Sequence, residues 1–146
     1  MIETNSFVEV SREPITLYKA IMLPLIPALS AGFPSPAADF IDVDIDLTKE
    51  LIKNPSTTFL GRIRGNSMIE AGIGDGDIVV IDKSLRVKDG CIAVCFLDGE
   101  FTVKRVRMDK EGCWLVPENP SFKSLRVTAE NDLIIWGIVT NVIKKL

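Results

Sequence analysis

Histidine is absent from all 146 residues, and this one omission removes more chemistry than most residues present could add. Ser-His-Asp and Cys-His catalysis both use an imidazole as the base, so neither is available. A serine hydroxyl is barely nucleophilic on its own, and without histidine its base must be a carboxylate or a neutral lysine. Cysteine is scarce as well: Cys91, Cys95 and Cys113 are odd in number and contain no CxxC pair. Three thiols without histidine make a poor zinc site and no complete disulfide framework, so no metal and no cofactor are expected. The thiols read as packed strand residues in a reducing, cytoplasmic compartment. A long apolar run is also missing. The most apolar early stretch, Leu17 to Ala31, is broken by Lys19, Pro24 and Pro27 and is too short to span a bilayer. Glu3, Glu9 and Glu13 precede it where a signal peptide would carry positive charge, so no membrane association is expected. Excess positive charge is lacking too: 17 Lys and Arg against 20 Asp and Glu leave a net charge of −3. The chain therefore offers polyanions no general attraction, and direct DNA binding is not expected.

What is present is an ordinary globular composition, 47% apolar and 25% charged, at a length that makes one domain with room for an arm. Residues 1–39 show no sustained helical or strand period and contain Pro14, Pro24, Pro27, Pro34 and Pro36. Proline holds φ near −65° and pushes the preceding residue toward extended geometry, so this segment reads as an extended N-terminal arm, Gly32–Pro36 included. Its apolar Ile21, Leu23, Leu25 and Ile26 are unusual for a purely solvated tail and are expected to dock on something.

At Phe40 the pattern changes. Ile41, Val43 and Ile45 alternate with Asp42, Asp44 and Asp46, the signature of a half-buried extended segment. Asp46 then suits the cap of a short helix from Leu47 to about Lys53, stopped by Asn54-Pro55. Thr57–Arg64 reads as a strand with Phe59, Gly61 and Ile63 on one face, and it delivers Gly65-Asn66-Ser67-Met68. The glycines of Gly72–Asp77 invite a phosphate-loop reading. That run opens a β-branched strand, Ile78–Ile81, rather than a helix, so neither a dinucleotide fingerprint nor an EF-hand fits, and Asp75 and Asp77 read as turn residues. Gly90–Leu97 is another apolar strand, joined by Asp98-Gly99, a strong two-residue hairpin signal, to Glu100–Met108. On that strand Thr102, Lys104, Val106 and Met108 share a face. Further turns fall at Lys110–Gly112 and Pro117–Pro120, and Leu133–Ile143 closes the chain with core strand residues. Residues 40–146 are thus expected to be mostly β, a small curved or barrel-like sheet assembly.

Two of these residues could form a catalytic pair. A lysine in a strand, buried so that its ammonium is disfavoured, can act as the base for a serine. Taken singly, Gly-x-Ser at a strand end is more often a turn, and a lysine on an amphipathic strand is more often solvated.

Four blocks together carry a resemblance. Gly65-Asn66-Ser67-Met68, Gly72–Asp77, Asp98–Arg105 with its Thr102-Val103-Lys104, and Val116-Pro117-Glu118-Asn119 resemble, in order, the self-cleaving serine peptidase domain shared by LexA repressors and UmuD proteins. The arm segment Ala31–Asp39 is similar to the cleavage region of the UmuD branch. A LexA repressor would also carry a helix-turn-helix domain, which a short proline-interrupted arm cannot supply. The resemblance implies a LexA-type fold, a scissile bond between Ala31 and Gly32, Ser67 as nucleophile and Lys104 as general base. The backbone N–H groups of Asn66 and Ser67 would be the oxyanion donors. It further implies a homodimer, a RecA filament on single-stranded DNA as stimulator of cleavage, and a UmuC-type catalytic subunit of an error-prone polymerase as partner in the SOS response. Two positions depart from the usual pattern: Asn66 stands where relatives often have Asp or Met, and Ala31 where some UmuD-type chains have Cys. A LexA-like role, or a noncatalytic β interaction module, is the alternative.

Overall fold

In chain order the elements are strands β1 (Phe7–Val10), β2 (Met22–Leu25) and β3 (Val43–Asp46), helix α1 (Leu47–Leu51), then strands β4 (Thr58–Arg64), β5 (Ile78–Asp82), β6 (Ile92–Leu97), β7 (Glu100–Asp109), β8 (Gly112–Val116), β9 (Leu125–Val127) and β10 (Leu133–Ile143). They are taken from a computed structural model that describes residues 7–10, 22–25, 31–32 and 43–146. By contacts the chain forms one unit of residues 1–15 with 54–146, and a second of residues 16–53.

The first unit is an eight-stranded antiparallel sheet in the order β1-β4-β5-β10-β6-β7-β8-β9. β1 sits at one edge beside β4, with Phe7 opposite Arg64, and its Cα atoms also come within 8 Å of β7. The sheet therefore curls, which matches the expected mostly β, curved architecture. β10 is the long central strand, bonded to β5 on one side and β6 on the other, with irregularities between Ile135 and Gly137 and between Val139 and Asn141. Such irregularities bend a strand and increase its twist, so one strand can serve two neighbours that diverge.

Side chains divide by the period of two. Ile63, Met68, Ile73, Val79, Ile81, Val94 and Val103 form one core, with Phe59, Phe101 and Trp136 packed against it. Ala93, Cys95, Val106, Leu115 and Ile138 form another, against which Cys91 and Cys113 pack. Adjacent residues of β6, Ala93, Val94 and Cys95, fall alternately into the two cores. This gives the strand the continuous apolar run its sequence showed, because both faces are buried. All three thiols are free.

The Asp98-Gly99 turn joins β6 to β7 with φ of 48° and 88°, the left-handed pair that a tight hairpin needs. Asp75 and Asp77 work as turn residues. Asp75 accepts from Gly65 N–H at 2.7 Å, and Asp77 accepts from Gly74 N–H at 2.8 Å and pairs with Lys144.

In the second unit β2 and β3 form a two-stranded ribbon, Met22 opposite Asp46 and Leu25 opposite Val43. Asp46 caps α1 by accepting from the Thr48 and Lys49 amides at 3.1 and 3.2 Å. The helix ends at Leu51, one turn earlier than Asn54-Pro55 alone would impose, and Ile52 bonds back to the Thr48 carbonyl.

Two features differ from the sequence reading. No strand period was visible in residues 1–39, yet β1 and β2 lie there. Each is only four residues long, too short for a period to register, and each is defined by a partner far along the chain. Pro24 is tolerated in β2 because an edge strand has a solvent-facing side that needs no donor. Met22, Leu23 and Leu25 are exposed, at 43 to 54%, while Ile21 and Ile26, expected with Leu23 and Leu25 to dock, lie outside the described residues. Residues 33–42, with the expected extended run after Gly32 and the alternating Ile41-Asp42, lie outside the described residues.

Gly137 marks the tightest packing in β10. A Cβ there would stand 2.6 Å from Cγ2 of Ile81, a residue with no exposed surface, so the sheet would have to shift. Gly137→Ala is expected to destabilise the protein by about 1–3 kcal/mol, read as a lower urea midpoint with an unchanged slope.

Candidate active site

Ser67 stands just after β4, in a turn fixed from several sides. Gly65 takes φ of 94°, a conformation suited to glycine, and its amide is held by Asp75. The Asn66 carbonyl accepts from Ile69 N–H at 3.3 Å and from Asn119 Nδ2 at 2.9 Å. Met68 fills the first core with no exposed surface and so pulls the turn inward. Ser67 is itself fully buried, and Asn66 is exposed.

Lys104 comes from the middle of β7, bonded between β6 and β8. It shares the strand face of Val106, and opposite it on β6 is Ala93, whose small side chain leaves room for the aliphatic stem. Lys104 is only 7% exposed. Its Nζ lies 3.1 Å from Ser67 Oγ, 2.7 Å from Thr102 Oγ1 and 3.0 Å from the Val103 carbonyl oxygen. The structure thus brings together Ser67 and Lys104, the two side chains proposed as a pair from the sequence.

No carboxylate is among these partners. Burial disfavours the ammonium and lowers the Lys104 pKa from the ordinary 10.5 to about 8. Burial pushes the Cys95 thiol up to about 12, so it is neutral and supplies no counter-charge near pH 7. The geometry then has a simple reading. A neutral amine carries two N–H bonds and one lone pair. If Thr102 Oγ1 and the Val103 carbonyl take those two hydrogens, the lone pair is left for the Ser67 hydroxyl. An ammonium would donate to all three oxygens instead.

Beside Lys104 a hollow of about 140 Å³ is lined by Leu97, Phe101, Leu115 and Leu125, with Glu100 and Lys123 also in its wall. It offers an apolar surface next to the amine. Ala31 and Gly32, in the second unit, form an exposed bend, and Gly32 has no atom within 4 Å of where a Cβ would stand.

Several participants were not singled out by the sequence reading. Thr102 could have been found, since it lies on the Lys104 face two residues away. Asn119 had only its place in a motif, and the Arg105–Glu118 ion pair, which ties the Pro117–Asn119 loop to β7 next to Lys104, had no local signal. Glu118 also accepts from the Glu70 amide through its carbonyl at 2.8 Å, so that loop braces the segment following Ser67.

Comparison with known proteins gives a consistent picture. The model of the family described as Peptidase S24-like matches residues 24–140. Protein SamA of Salmonella typhimurium is 43% identical, the match covering 79% of each chain. Protein MucA of Escherichia coli is 39% identical over 77% of each. A LexA repressor of Acidithiobacillus ferrooxidans is 39% identical over 84% of this chain and 60% of its own length. Among the described residues, no helix is long and apolar enough to cross a membrane.

The buried amine sets a stability test. Its folded pKa lies below its unfolded value, so the unfolded chain binds the proton more tightly. The penalty is present in full below about pH 8 and is relieved as pH rises toward 10.5. A displacement of that size corresponds to about 3 kcal/mol, of which the lost hydrogen bonds offset a part. In a Ser67→Ala background, which removes chemistry at the serine, Lys104→Met is expected to raise the urea midpoint at pH 7. The gain should shrink steadily between pH 8 and pH 10.

Proposed function

The chain belongs to the Peptidase S24-like family, and on that premise we propose that it is a self-cleaving serine peptidase of the LexA/UmuD kind, in which Ser67 attacks the Ala31–Gly32 bond and Lys104 is the base. The observation that carries this reading is the buried Lys104 Nζ, 3.1 Å from Ser67 Oγ and held by two further acceptors.

Neutral Lys104 accepts the Ser67 proton as Oγ attacks the Ala31 carbonyl carbon. The resulting oxyanion is met by backbone N–H groups at Asn66 and Ser67, donors that need no reorganisation during the step. The tetrahedral intermediate collapses, the Ala31–Gly32 C–N bond breaks, and the ammonium of Lys104 passes its proton to the departing Gly32 nitrogen. Water, deprotonated by the again neutral lysine, attacks the acyl-serine ester and releases the Ala31 carboxylate and free Ser67. The small side chains at the bond suit a nucleophile with no exposed surface. Because the substrate is part of the same chain, its effective concentration is high, and a modest active site suffices.

The biological reading follows the family. Residues 1–39 are an arm carrying the cleavage site, and residues 40–146 are the peptidase and dimerisation domain. Cleavage leaves residues 32–146, a processed homodimer that joins a UmuC-type polymerase subunit in translesion synthesis after DNA damage, with a RecA filament on single-stranded DNA as the trigger. The similarity to MucA and SamA along most of both chains supports this branch over a repressor. The net charge of −3 is consistent with DNA contact being left to the partners.

Cleavage requires the neutral amine, so its rate rises with pH and is half-maximal near the Lys104 pKa of about 8. Roughly a tenth of the sites would be competent at pH 7. Intact-mass measurement of purified protein at pH 10 is expected to show two fragments meeting at Ala31–Gly32. Ser67→Ala should give none, and Lys104→Met should be slower by about 10²–10⁴-fold. A folded wild-type chain that stays intact at pH 10 would make it a noncatalytic β module instead.

A further inference from the structure

The Pro117–Asn119 loop is far from Ser67 in sequence, yet it grips the turn that presents the nucleophile. Asn119 Nδ2 donates to the Asn66 carbonyl at 2.9 Å. The side chain is itself held in place, because its Oδ1 accepts from Ser121 N–H at 2.9 Å. The loop is fastened on two further sides: Glu118 accepts from the Glu70 amide through its carbonyl at 2.8 Å, and its carboxylate pairs with Arg105, the neighbour of Lys104 on β7. Pro117 is buried.

The Asn66 carbonyl and the Ser67 N–H belong to one peptide group. That group is planar and trans, so its C=O and N–H point in opposite directions and rotate together. Whatever fixes the carbonyl fixes the N–H. We propose that Asn119 is a positioning residue for the oxyanion site: by holding the Asn66 carbonyl it sets the plane of the Asn66–Ser67 peptide and so aims the Ser67 N–H at the developing oxyanion. Ile69 N–H is a second, longer contact to the same carbonyl, at 3.3 Å, so loss of the Asn119 bond loosens the plane without freeing it. The Arg105–Glu118 pair places the Asn119 loop on the strand that carries the base. Donor and base are thereby referred to one rigid element, the kind of support that a preorganised site needs.

This inference rests on the self-cleavage reading and deepens it. The test compares full-length wild type with Asn119→Ser and Asn119→Asp. Serine keeps an oxygen for the Ser121 turn but is too short to reach Asn66. Aspartate keeps the shape and the turn acceptor and has no donor. First-order cleavage rates are measured from pH 6 to pH 10.5, with thermal unfolding recorded for each protein in a Ser67→Ala background. Removing an oxyanion donor outright costs about 10²–10³-fold; misaiming one is expected to lower the high-pH plateau about 10–100-fold in both variants. The Asn119→Ser midpoint should stay near the wild-type value, and unfolding temperatures should be little changed. Wild-type plateaus in the variants would overturn the proposal. So would a rate loss that comes only from a shifted midpoint, since Asn119 would then act through Lys104, or one that follows a fall in unfolding temperature. If wild type itself fails to cleave while folded, the self-cleavage reading falls, and this proposal with it, an outcome distinct from variants that match an active wild type.

Discussion

An amine is buried in this protein with no opposing charge among its described partners. Lys104 Nζ has three oxygen partners, none of them a carboxylate, and Cys95, its polarisable neighbour, is held neutral by its own burial. Had a carboxylate stood at hydrogen-bond distance, Coulomb attraction would have favoured the ammonium and raised the pKa. The hydroxyl and carbonyl acceptors satisfy the N–H groups while supplying no net charge. That combination removes the hydrogen-bonding penalty of burial and keeps the electrostatic one, and the retained penalty is what lowers the pKa of the lysine.

Much of the surrounding structure serves to keep that arrangement from relaxing. A lysine on an edge or a loop could swing its long side chain to water and recover its ordinary pKa. Lys104 instead sits on an internal strand, with β6 and β8 bonded on either side and both cores packed about β6 and β7. The serine is restrained in a different way. Its turn has little regular structure, so it is held by particular side chains: Asp75 on the Gly65 amide, Asn119 on the Asn66 carbonyl, Met68 in the core. One partner of the pair is fixed by the sheet and the other by a set of hydrogen bonds from distant loops.

How readily each part could be read from the sequence follows from that difference. β10 is found at Leu133–Ile143 and the β6–β7 hairpin at Asp98-Gly99 because alternation, β-branched content and turn chemistry are local signals. The Asp46 cap of α1 is equally local. β1 and β2 were not visible because four residues hold no measurable period, and what makes them strands is hydrogen bonding to β4 and β3. The irregularities of β10 likewise reflect two neighbours with different twist. At the site, Thr102 was within reach of a pattern argument, whereas Asn119 and the Arg105–Glu118 pair are partners only because the chain returns to β7 through β8.

The sequence by itself determined the chemical alternatives: with no histidine, a nucleophilic serine had to look to a carboxylate or a lysine, and the order of short strands and turns already specified a β-rich body. Only the tertiary structure decided that Lys104 is buried with a lowered pKa rather than solvated. Lysine has the same intrinsic pKa wherever it occurs in a sequence. What lowers it at Lys104 is exclusion of water by residues from several strands together with acceptors that bring no charge, and both exist only once the sheet has closed around that position.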